Sequence, residues 1–223
     1  MNRRTSHVKT HLSLKNRQTK SLPEELRSDD VRYTEELVEH FLNQFTKAGD
    51  TVFDPFMGFG TTLLSAEKLE RIGYGVEFDE RRWKYCQSIL HHPERAVHGD
   101  STKLESLGLP DFHFSMTSPP YMAKHHKENP FTAYSTDFSG YEEYLRTFGS
   151  IYDQIGRKLK PSGHAVIEVS NLKHEGDVLT TLAWDIARVV DKVIPFIGEV
   201  VVLWEPTYNY GYDHSYCLVF KKA

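Results

Sequence analysis

The chain has 223 residues, of which 39% are hydrophobic and 26% charged, values typical of a globular protein with one α/β domain. It contains no apolar run long enough to span a membrane and no apolar stretch typical of a secretory signal. The two cysteines, Cys86 and Cys217, form no CxxC motif. We therefore expect a cytoplasmic protein with neither a disulfide framework nor a bound metal.

The net charge of −4 is unevenly distributed, and on its own it speaks against a protein that coats nucleic acid. Residues 1–20 carry six basic side chains and no acidic one, which leaves 21 basic and 31 acidic side chains in the rest. We predict a basic N-terminal arm over residues 1–30, in which Arg3 and Arg4 attract phosphate groups. A single folded domain is predicted over residues 31–223.

After the arm, helical and strand patterns alternate along the chain. Apolar residues at helical spacing predict a first helix over about 33–47. The predicted strands cover 51–55, 73–79, 96–100, 111–118, 164–170, 200–206 and 216–222, and the further helices cover 61–70, 80–90, 141–158 and 177–192. This order predicts an α/β fold with a mostly parallel sheet covered on both faces. Because no helix separates the last two strands, we expect an antiparallel hairpin at the sheet edge.

The first candidate site is a glycine-containing turn, residues 54–62 with the sequence DPFMGFGTT, between a strand and a helix. Gly58 and Gly60 remove side chains where a ligand must approach the backbone, and the helix N-terminus offers free N–H groups. Leu63 stands where an NAD-binding pattern has its third glycine, and no GK[ST] sequence follows. The turn therefore indicates a nucleoside site that is neither an NAD site nor a P-loop.

Two acidic residues further along the chain support a nucleoside ligand. Glu77 lies near the end of the next predicted strand, where a carboxylate can accept both hydroxyls of a ribose. Phe78 can stack on an adenine, and Asp100, at the end of the following strand, can accept a hydrogen bond from the adenine amino group. We expect these side chains at the carboxyl ends of parallel strands, where open α/β sheets bind their ligands.

The second candidate site is the tetrapeptide Ser118–Tyr121, with the sequence SPPY, at the end of the fourth of these strands. Its two prolines fix φ and donate no hydrogen bond, so they leave rigid carbonyl groups. The Ser118 hydroxyl and the Pro119 carbonyl can accept both protons of an exocyclic amino group, which favours a pyramidal, nucleophilic nitrogen. Tyr121 can hold the planar base by stacking. The tetrapeptide is thus suited to chemistry on the amino group of a base.

Together the two motifs resemble those of the S-adenosylmethionine-dependent amino-methyltransferases of DNA, in the γ-like order, over about residues 31–222. The resemblance implies a three-layer Rossmann-like fold with a seven-stranded, mostly parallel sheet whose last strand is reversed. It also implies S-adenosylmethionine as the cofactor and DNA as a partner. By resemblance the cofactor site comprises Tyr33, Thr34, Asp54, Phe56, Gly58, Gly60, Glu77, Phe78 and Asp100, and the catalytic motif comprises Ser118, Pro119, Pro120 and Tyr121.

The implied activity is transfer of a methyl group to N4 of cytosine, since serine in the tetrapeptide is more common in the cytosine enzymes. N6 of adenine is the alternative acceptor. A further alternative is an enzyme that methylates the amino group of a base in RNA. A C5-cytosine enzyme is not indicated, because neither cysteine follows a proline in a loop as its nucleophile would. A non-catalytic cofactor- or DNA-binding subunit is disfavoured by the presence of both motifs.

Candidate contacts to nucleic acid follow the tetrapeptide. Lys124 and Lys127 lie in an aromatic and basic segment, 121–141, whose aromatic side chains either contact an extruded nucleotide or pack internally. Tyr208 and Tyr210, in the turn between the last two strands, are candidates for contact with the base. Because family members usually carry a target-recognition domain and none follows the last strand here, we expect sequence recognition from loops, from the arm, or from a separate specificity or restriction subunit. The sequence leaves the oligomeric state open.

Overall fold

A computed structural model describes residues 10–19, 21–132, 140–174, 179–206 and 212–223. The helices are α1 (Glu35–Phe45), α2 (Thr61–Lys68), α3 (Glu80–Ile89), α4 (Tyr141–Lys158) and α5 (Leu182–Val190). The strands are β1 (His11–Lys15), β2 (Thr51–Asp54), β3 (Ile72–Glu77), β4 (Ala96–His98), β5 (Phe112–Thr117), β6 (Leu159–Val169), β7 (Leu172–Lys173), β8 (Leu179–Thr180), β9 (Phe196–Glu205) and β10 (His214–Lys221). The predicted alternation of strands and helices is confirmed, although the last helix begins at Leu182 rather than at residue 177.

Eight strands of the described chain form the main sheet, in the order β1-β9-β10-β6-β5-β2-β3-β4. β10 runs antiparallel to both of its neighbours, β6 and β9. The other neighbouring pairs are parallel. The reversed last strand is therefore confirmed, but the predicted count of seven strands is wrong. The β9–β10 hairpin also lies inside the sheet rather than at its edge, because β1 pairs with the outer side of β9.

β1 belongs to the segment in which the sequence predicts only an arm. Its residues alternate between exposed and buried side chains, and the two buried leucines, Leu12 and Leu14, lie opposite Val202 and Trp204 of β9. This alternation is that of a strand with one face in the core. Residues 22–26 also pack on the domain, where two further leucines contact the glycine turn. Much of the predicted arm is therefore part of the folded body.

The helices cover the sheet on both faces. On one face, α1 packs over Val52 of β2 and Val166 of β6. On the other face, α4 and α5 pack over Phe53 and Ile167, the next residue of each strand. Because successive residues of a strand point to opposite faces, these two pairs serve different core layers, and the predicted three-layer arrangement is confirmed. None of the helices in the described ranges combines the length and apolar character that crossing a bilayer requires.

The topology brings the two candidate sites together. β2 and β5 are adjacent and parallel, so their carboxyl ends lie side by side at one edge of the sheet. The glycine turn follows β2 and the tetrapeptide follows β5. β3 and β4 end at the same edge, which places Glu77 and Asp100 beside the turn.

The position of β1 predicts that Leu14→Ala destabilises the whole domain. Leu14 is 9% exposed and shares a core cluster with α1 and β9, so we expect a loss of about 2 kcal/mol in the free energy of unfolding. Ser13→Ala, at the neighbouring exposed position, should change it by less than about 0.5 kcal/mol. Urea unfolding measures both values. Equal stabilities of the two variants would contradict the docking of β1 onto the sheet.

Candidate active site

A large cleft opens at the carboxyl ends of β2, β3, β4 and β5. Its volume is about 1270 Å³, which exceeds the roughly 300–1,000 Å³ of most small-molecule pockets. The glycine turn lines one part of the cleft and the tetrapeptide lines another. The cleft therefore has room for a nucleoside-sized ligand and a second planar group beside it.

The glycine turn adopts a backbone that favours glycine. Gly58 has φ 55° and Gly60 has φ 81°, both in the left-handed region, and Gly60 is the N-cap of α2. Phe56 and Gly58 line the cleft, whereas Gly60 lies outside the lining and faces Cys86, whose Sγ would be 3.1 Å from an added Cβ. Gly58 thus lies on the wall of the cleft, and Gly60 shapes the turn from behind.

Asp54 ties the turn to its surroundings. One carboxylate oxygen accepts hydrogen bonds from the Thr117 hydroxyl at 2.6 Å and from the Phe56 N–H at 3.0 Å. The other accepts from the Thr62 hydroxyl at 2.5 Å and from the Tyr33 hydroxyl at 3.2 Å. Burial raises the pKa of Asp54, and the hydrogen bonds from Thr117 and Thr62 oppose that rise. With about four acceptor sites on a carboxylate, Asp54 has all of them occupied by protein groups.

Tyr33 and Thr34, the other residues predicted near the methionine end of the cofactor, differ in their positions. Tyr33 lines the cleft, and its hydroxyl also contacts the Thr62 hydroxyl. Thr34 is buried, and its hydroxyl caps α1 by accepting from the Leu37 N–H. Tyr33 therefore offers a surface to a ligand, whereas Thr34 holds the helix that presents Tyr33.

Glu77 has acceptor capacity left for a ligand. One oxygen of its carboxylate accepts the Gly58 N–H at 2.8 Å, and the other accepts the Asp79 N–H at 2.8 Å. Burial raises the pKa of Glu77, while the Asp79 N–H and the positive charge of Arg82 oppose that rise. Two of about four acceptor sites are thus filled, and two remain for the two hydroxyls of a ribose.

The neighbouring residues complete a surface that fits an adenosyl group. Phe78 lines the cleft and is 62% exposed, which leaves a large apolar ring uncovered beside Glu77. Asp100 also lines the cleft and accepts from both the N–H and the hydroxyl of Thr102 through one oxygen. Its other oxygen lies 3.7 Å from the Lys103 ammonium. The exposed ring and the unfilled acceptors match the needs of an adenine and a ribose.

In the tetrapeptide, two acceptors are occupied by protein groups. The Tyr144 hydroxyl donates to the Pro120 carbonyl at 2.9 Å. The Tyr121 hydroxyl lies 3.3 Å from a Glu168 carboxylate oxygen and accepts the Ser170 N–H at 3.1 Å. These contacts turn the polar end of the Tyr121 side chain into the protein, while the residue lines the cleft.

The other two acceptors of the tetrapeptide remain available. Ser118 and Pro119 line the cleft, and no hydrogen bond from another described residue reaches the Ser118 hydroxyl or the Pro119 carbonyl. A polar group at a cleft without a protein partner can bind a ligand without first breaking an internal hydrogen bond. The tetrapeptide therefore presents one hydroxyl and one carbonyl to the cleft.

The basic and aromatic segment after the tetrapeptide is partly engaged in internal packing. Phe131 stacks on Phe56 and, with nearly parallel rings 5.0 Å apart, on Tyr144. Lys124 lies outside the cleft lining and within 3.7 Å of the Asp185 carboxylate, whereas Lys127 is exposed and lines the cleft. Of the two lysines, Lys127 is the better placed for a phosphate.

Four predicted nucleic-acid contacts, Arg3, Arg4, Tyr208 and Tyr210, lie outside the described residues. Within the described ranges, no group of three or more His, Cys, Asp or Glu side chains is arranged to hold a metal ion. Sequence reasoning missed Glu168, which is fully buried beside Tyr121. The one available signal was a single acidic residue inside the apolar run 164–170, since a buried glutamate is rare without a partner.

The glycine turn predicts that Gly58→Ala weakens cofactor binding more than it weakens the fold. An added Cβ at Gly58 would meet only the Phe56 carbonyl oxygen, at 3.9 Å, so the methyl group would occupy the cleft. Gly108→Ala is the matched control, because Gly108 has φ 64° and open space around it, away from the cleft lining.

We expect both glycine variants to lose about 1 kcal/mol of stability through backbone strain. Gly58→Ala alone should bind S-adenosylmethionine at least about tenfold more weakly, a loss of about 1.4 kcal/mol. Isothermal titration calorimetry and urea unfolding measure the two effects. Equal affinities of the two variants would show that the ligand does not approach Gly58.

Comparison with known proteins finds a family that the first part of the chain resembles. Residues 9–88 match the sequence profile of a family described as DNA methylase. The matched segment includes the glycine turn and Glu77 but ends before the tetrapeptide. The γ-like order of the motifs therefore stays a prediction.

Two curated relatives match short segments of the chain. The Type II methyltransferase M.BglII of Bacillus subtilis is 35% identical over 60 residues, which are 27% of this chain and 17% of that protein. The Type II methyltransferase M.MjaI of Methanocaldococcus jannaschii is 42% identical over 48 residues, which are 22% of this chain and 16% of that protein. The matches thus span less than a fifth of each relative.

Solved structures share the fold at low sequence identity. TrmN from Thermus thermophilus superposes with a TM-score of 0.62 and 18% identity, over 86% of this chain and 49% of that one. A TehB-like SAM-dependent methyltransferase from Corynebacterium glutamicum has a TM-score of 0.56 and 17% identity, over 89% of this chain and 93% of that one. An rRNA methylase from Streptococcus thermophilus has a TM-score of 0.58 and 12% identity, over 86% of this chain and 99% of that one. These likenesses show the Rossmann-like methyltransferase fold and nothing finer.

The family match and the fold together imply S-adenosylmethionine as the cofactor, in agreement with the Glu77 carboxylate and the exposed Phe78 ring that line the cleft. The match of residues 9–88 to the DNA methylase family, together with the two Type II methyltransferases, confirms the predicted resemblance to the amino-methyltransferases of DNA.

Proposed function

We propose that the chain is an enzyme that methylates the exocyclic N4 of cytosine in DNA, with N6 of adenine as the alternative acceptor. The observation that carries the proposal is a pair of acceptors in the cleft to which no other described residue donates, the Ser118 hydroxyl and the Pro119 carbonyl. They lie in the same cleft as Glu77 and Phe78. A base amino group and the cofactor can therefore lie in the same cleft.

The two acceptors suit the chemistry of an amino group attached to an aromatic ring. Its lone pair is delocalised into the ring, so the nitrogen is a weak nucleophile. When Ser118 and Pro119 accept its two N–H bonds, they favour the pyramidal form in which the lone pair is localised. The remaining rate enhancement comes from holding the reactants close and aligned.

Tyr121 and the cofactor surface supply the alignment. Tyr121 lines the cleft with its hydroxyl tied to Glu168 and Ser170, and stacking of its ring on a base would be worth about 1–3 kcal/mol. S-adenosylmethionine, when bound, supplies an electrophilic methyl group. Glu77 would hold the ribose and Phe78 the adenine. A base in a duplex must leave the stack to reach this cleft.

The choice of base rests on a single residue. Serine at position 118 favours cytosine by resemblance to the family, while the two acceptors suit any base that carries an amino group. A relative of this fold that acts on RNA adds no weight to RNA here, because its 12% identity shows the fold alone. The comparisons also lend no support to the separate specificity or restriction subunit that the sequence suggests.

Nucleoside analysis tests the proposal directly. The full chain is incubated with isotopically labelled S-adenosylmethionine and cytosine- and adenine-containing DNA, or with RNA, and the digested product is identified by mass spectrometry. We expect N4-methylcytosine from DNA. Ser118→Ala should lower kcat about 100-fold, because one of the two acceptors is lost, with cofactor affinity unchanged. Labelled N6-methyladenine would select the alternative, and full activity of Ser118→Ala would refute the role of Ser118.

We also propose that the basic N-terminal residues contribute phosphate attraction, with Lys127 at the mouth of the cleft. The double variant Arg3→Gln/Arg4→Gln removes two positive charges, and we expect the slope of log K against log salt for duplex binding to become shallower by about 1.8. Substitution is preferable to deletion, because residues 11–15 form β1.

The matched control for the arm is Lys47→Gln/Lys192→Gln, which removes the same charge. Both lysines are exposed and lie at the edge of the sheet opposite the cleft, after α1 and before β9. The control should leave the salt slope nearly unchanged. If the two double variants have the same salt dependence, net charge alone explains DNA attraction and the arm makes no direct contact.

A further inference from the structure

Tyr144 has a role that neither the two motifs nor the family match assigns to it. It lies at the end of the first turn of α4 and is fully buried. Its hydroxyl donates to the Pro120 carbonyl at 2.9 Å, within the normal range for such a bond. A residue of α4 therefore contacts the backbone of the tetrapeptide directly.

The backbone of the tetrapeptide needs a hydrogen bond from another segment to fix its conformation. Residues 118–123 lie in no helix or strand, so no ladder of hydrogen bonds fixes them. The prolines fix φ and neither donates an N–H, and Pro120 also restricts ψ of Pro119, but ψ of Pro120 is free to turn. Rotation about ψ of Pro120 turns the peptide that joins it to Tyr121 and changes the direction of the Tyr121 ring. The bond from Tyr144 resists that rotation, because it holds the carbonyl of this peptide.

The position of Tyr144 is itself rigid. Its ring stacks on Phe131 with an interplanar angle of 4° and on Tyr141 with an angle of 18°. Burial raises the pKa of the Tyr144 hydroxyl, so the group stays a protonated donor across the physiological range. The donor that reaches Pro120 is thus held in place by packing on both sides.

We propose that Tyr144 is a positioning residue of the methyl-transfer reaction, whose hydroxyl holds the Pro120 carbonyl and thereby fixes the Tyr121 ring relative to the Ser118 and Pro119 acceptors. The inference rests on the proposed function, since it adds a positioning residue to that same site. It adds that the bond to Pro120 also removes a third carbonyl from competition for the base amino group.

Tyr152 provides a matched control on the same helix. It is fully buried like Tyr144, but its hydroxyl has no hydrogen-bond partner among the described residues. Tyr144→Phe and Tyr152→Phe each remove one buried hydroxyl and keep the ring. The two variants differ in whether a bond to the tetrapeptide is lost.

The experiment compares wild type with both variants, as full chains, in single-turnover and steady-state methyl transfer to the DNA methylated by the wild type. Titration with S-adenosylmethionine and urea unfolding accompany it. We expect Tyr144→Phe to lower kcat about tenfold, with the KM for DNA and the cofactor Kd within about twofold of wild type. Tyr152→Phe should retain wild-type kinetics and be at least as stable.

The outcomes separate this inference from the proposed function. A wild-type chain that methylates no nucleic acid overturns both. An active wild type whose kcat is unchanged by Tyr144→Phe overturns the positioning role alone. A loss of kcat that is matched by Tyr152→Phe, or by an equal loss of cofactor affinity, marks a general packing defect and likewise overturns it. A kcat loss confined to Tyr144→Phe, with cofactor affinity retained, supports it.

Discussion

The structure depends on the buried carboxylate of Asp54. A charge so far from water is costly unless its acceptor sites are filled, and here four donors from four segments fill them. These segments are the start of α1, the glycine turn, α2 and the end of β5. Any of them that moved away would leave a buried acceptor unsatisfied. The Asp54 carboxylate therefore fixes the distance between the glycine turn and the tetrapeptide before any ligand arrives.

The number of occupied acceptor sites also distinguishes residues that hold the structure together from residues that bind a ligand. Asp54 has all its acceptor sites occupied by the protein, whereas Glu77 has two occupied and two available. In the tetrapeptide, a tyrosine hydroxyl donates to the Pro120 carbonyl, while no donor in the described part of the chain reaches the Ser118 hydroxyl or the Pro119 carbonyl. Acceptors that are occupied by protein donors fix the positions of the surrounding segments. Acceptors without such a donor are the ones that can bind the ligand. A family resemblance lists these residues together, but the hydrogen bonds separate the two roles.

Local sequence patterns predicted most of the architecture, because the strands and helices near the site carry strong period-2 and period-3.6 signals. β1 was missed although HLSLK alternates correctly, since its partner β9 lies almost a whole chain length away and five residues give little local signal. Motif residues that line the cleft were also predictable. Tyr144 and Glu168 were not, because their importance comes from contacts with residues 24 and 47 positions away, which no spacing along the chain reveals.

The arrangement of acceptors gives the proposed site its chemical selectivity. An amino group offers two N–H donors to the Ser118 hydroxyl and the Pro119 carbonyl, so both acceptors are satisfied when it enters. Thymine presents a carbonyl at the same position. Its oxygen and the Pro119 carbonyl oxygen are both acceptors, so they would repel each other and the Pro119 carbonyl would have no donor. Such a mismatch typically costs more than a missing contact, because the unpaired groups have already lost their water. Discrimination for an amino-bearing base thus follows from which acceptors the surrounding tyrosines and carboxylate leave unfilled.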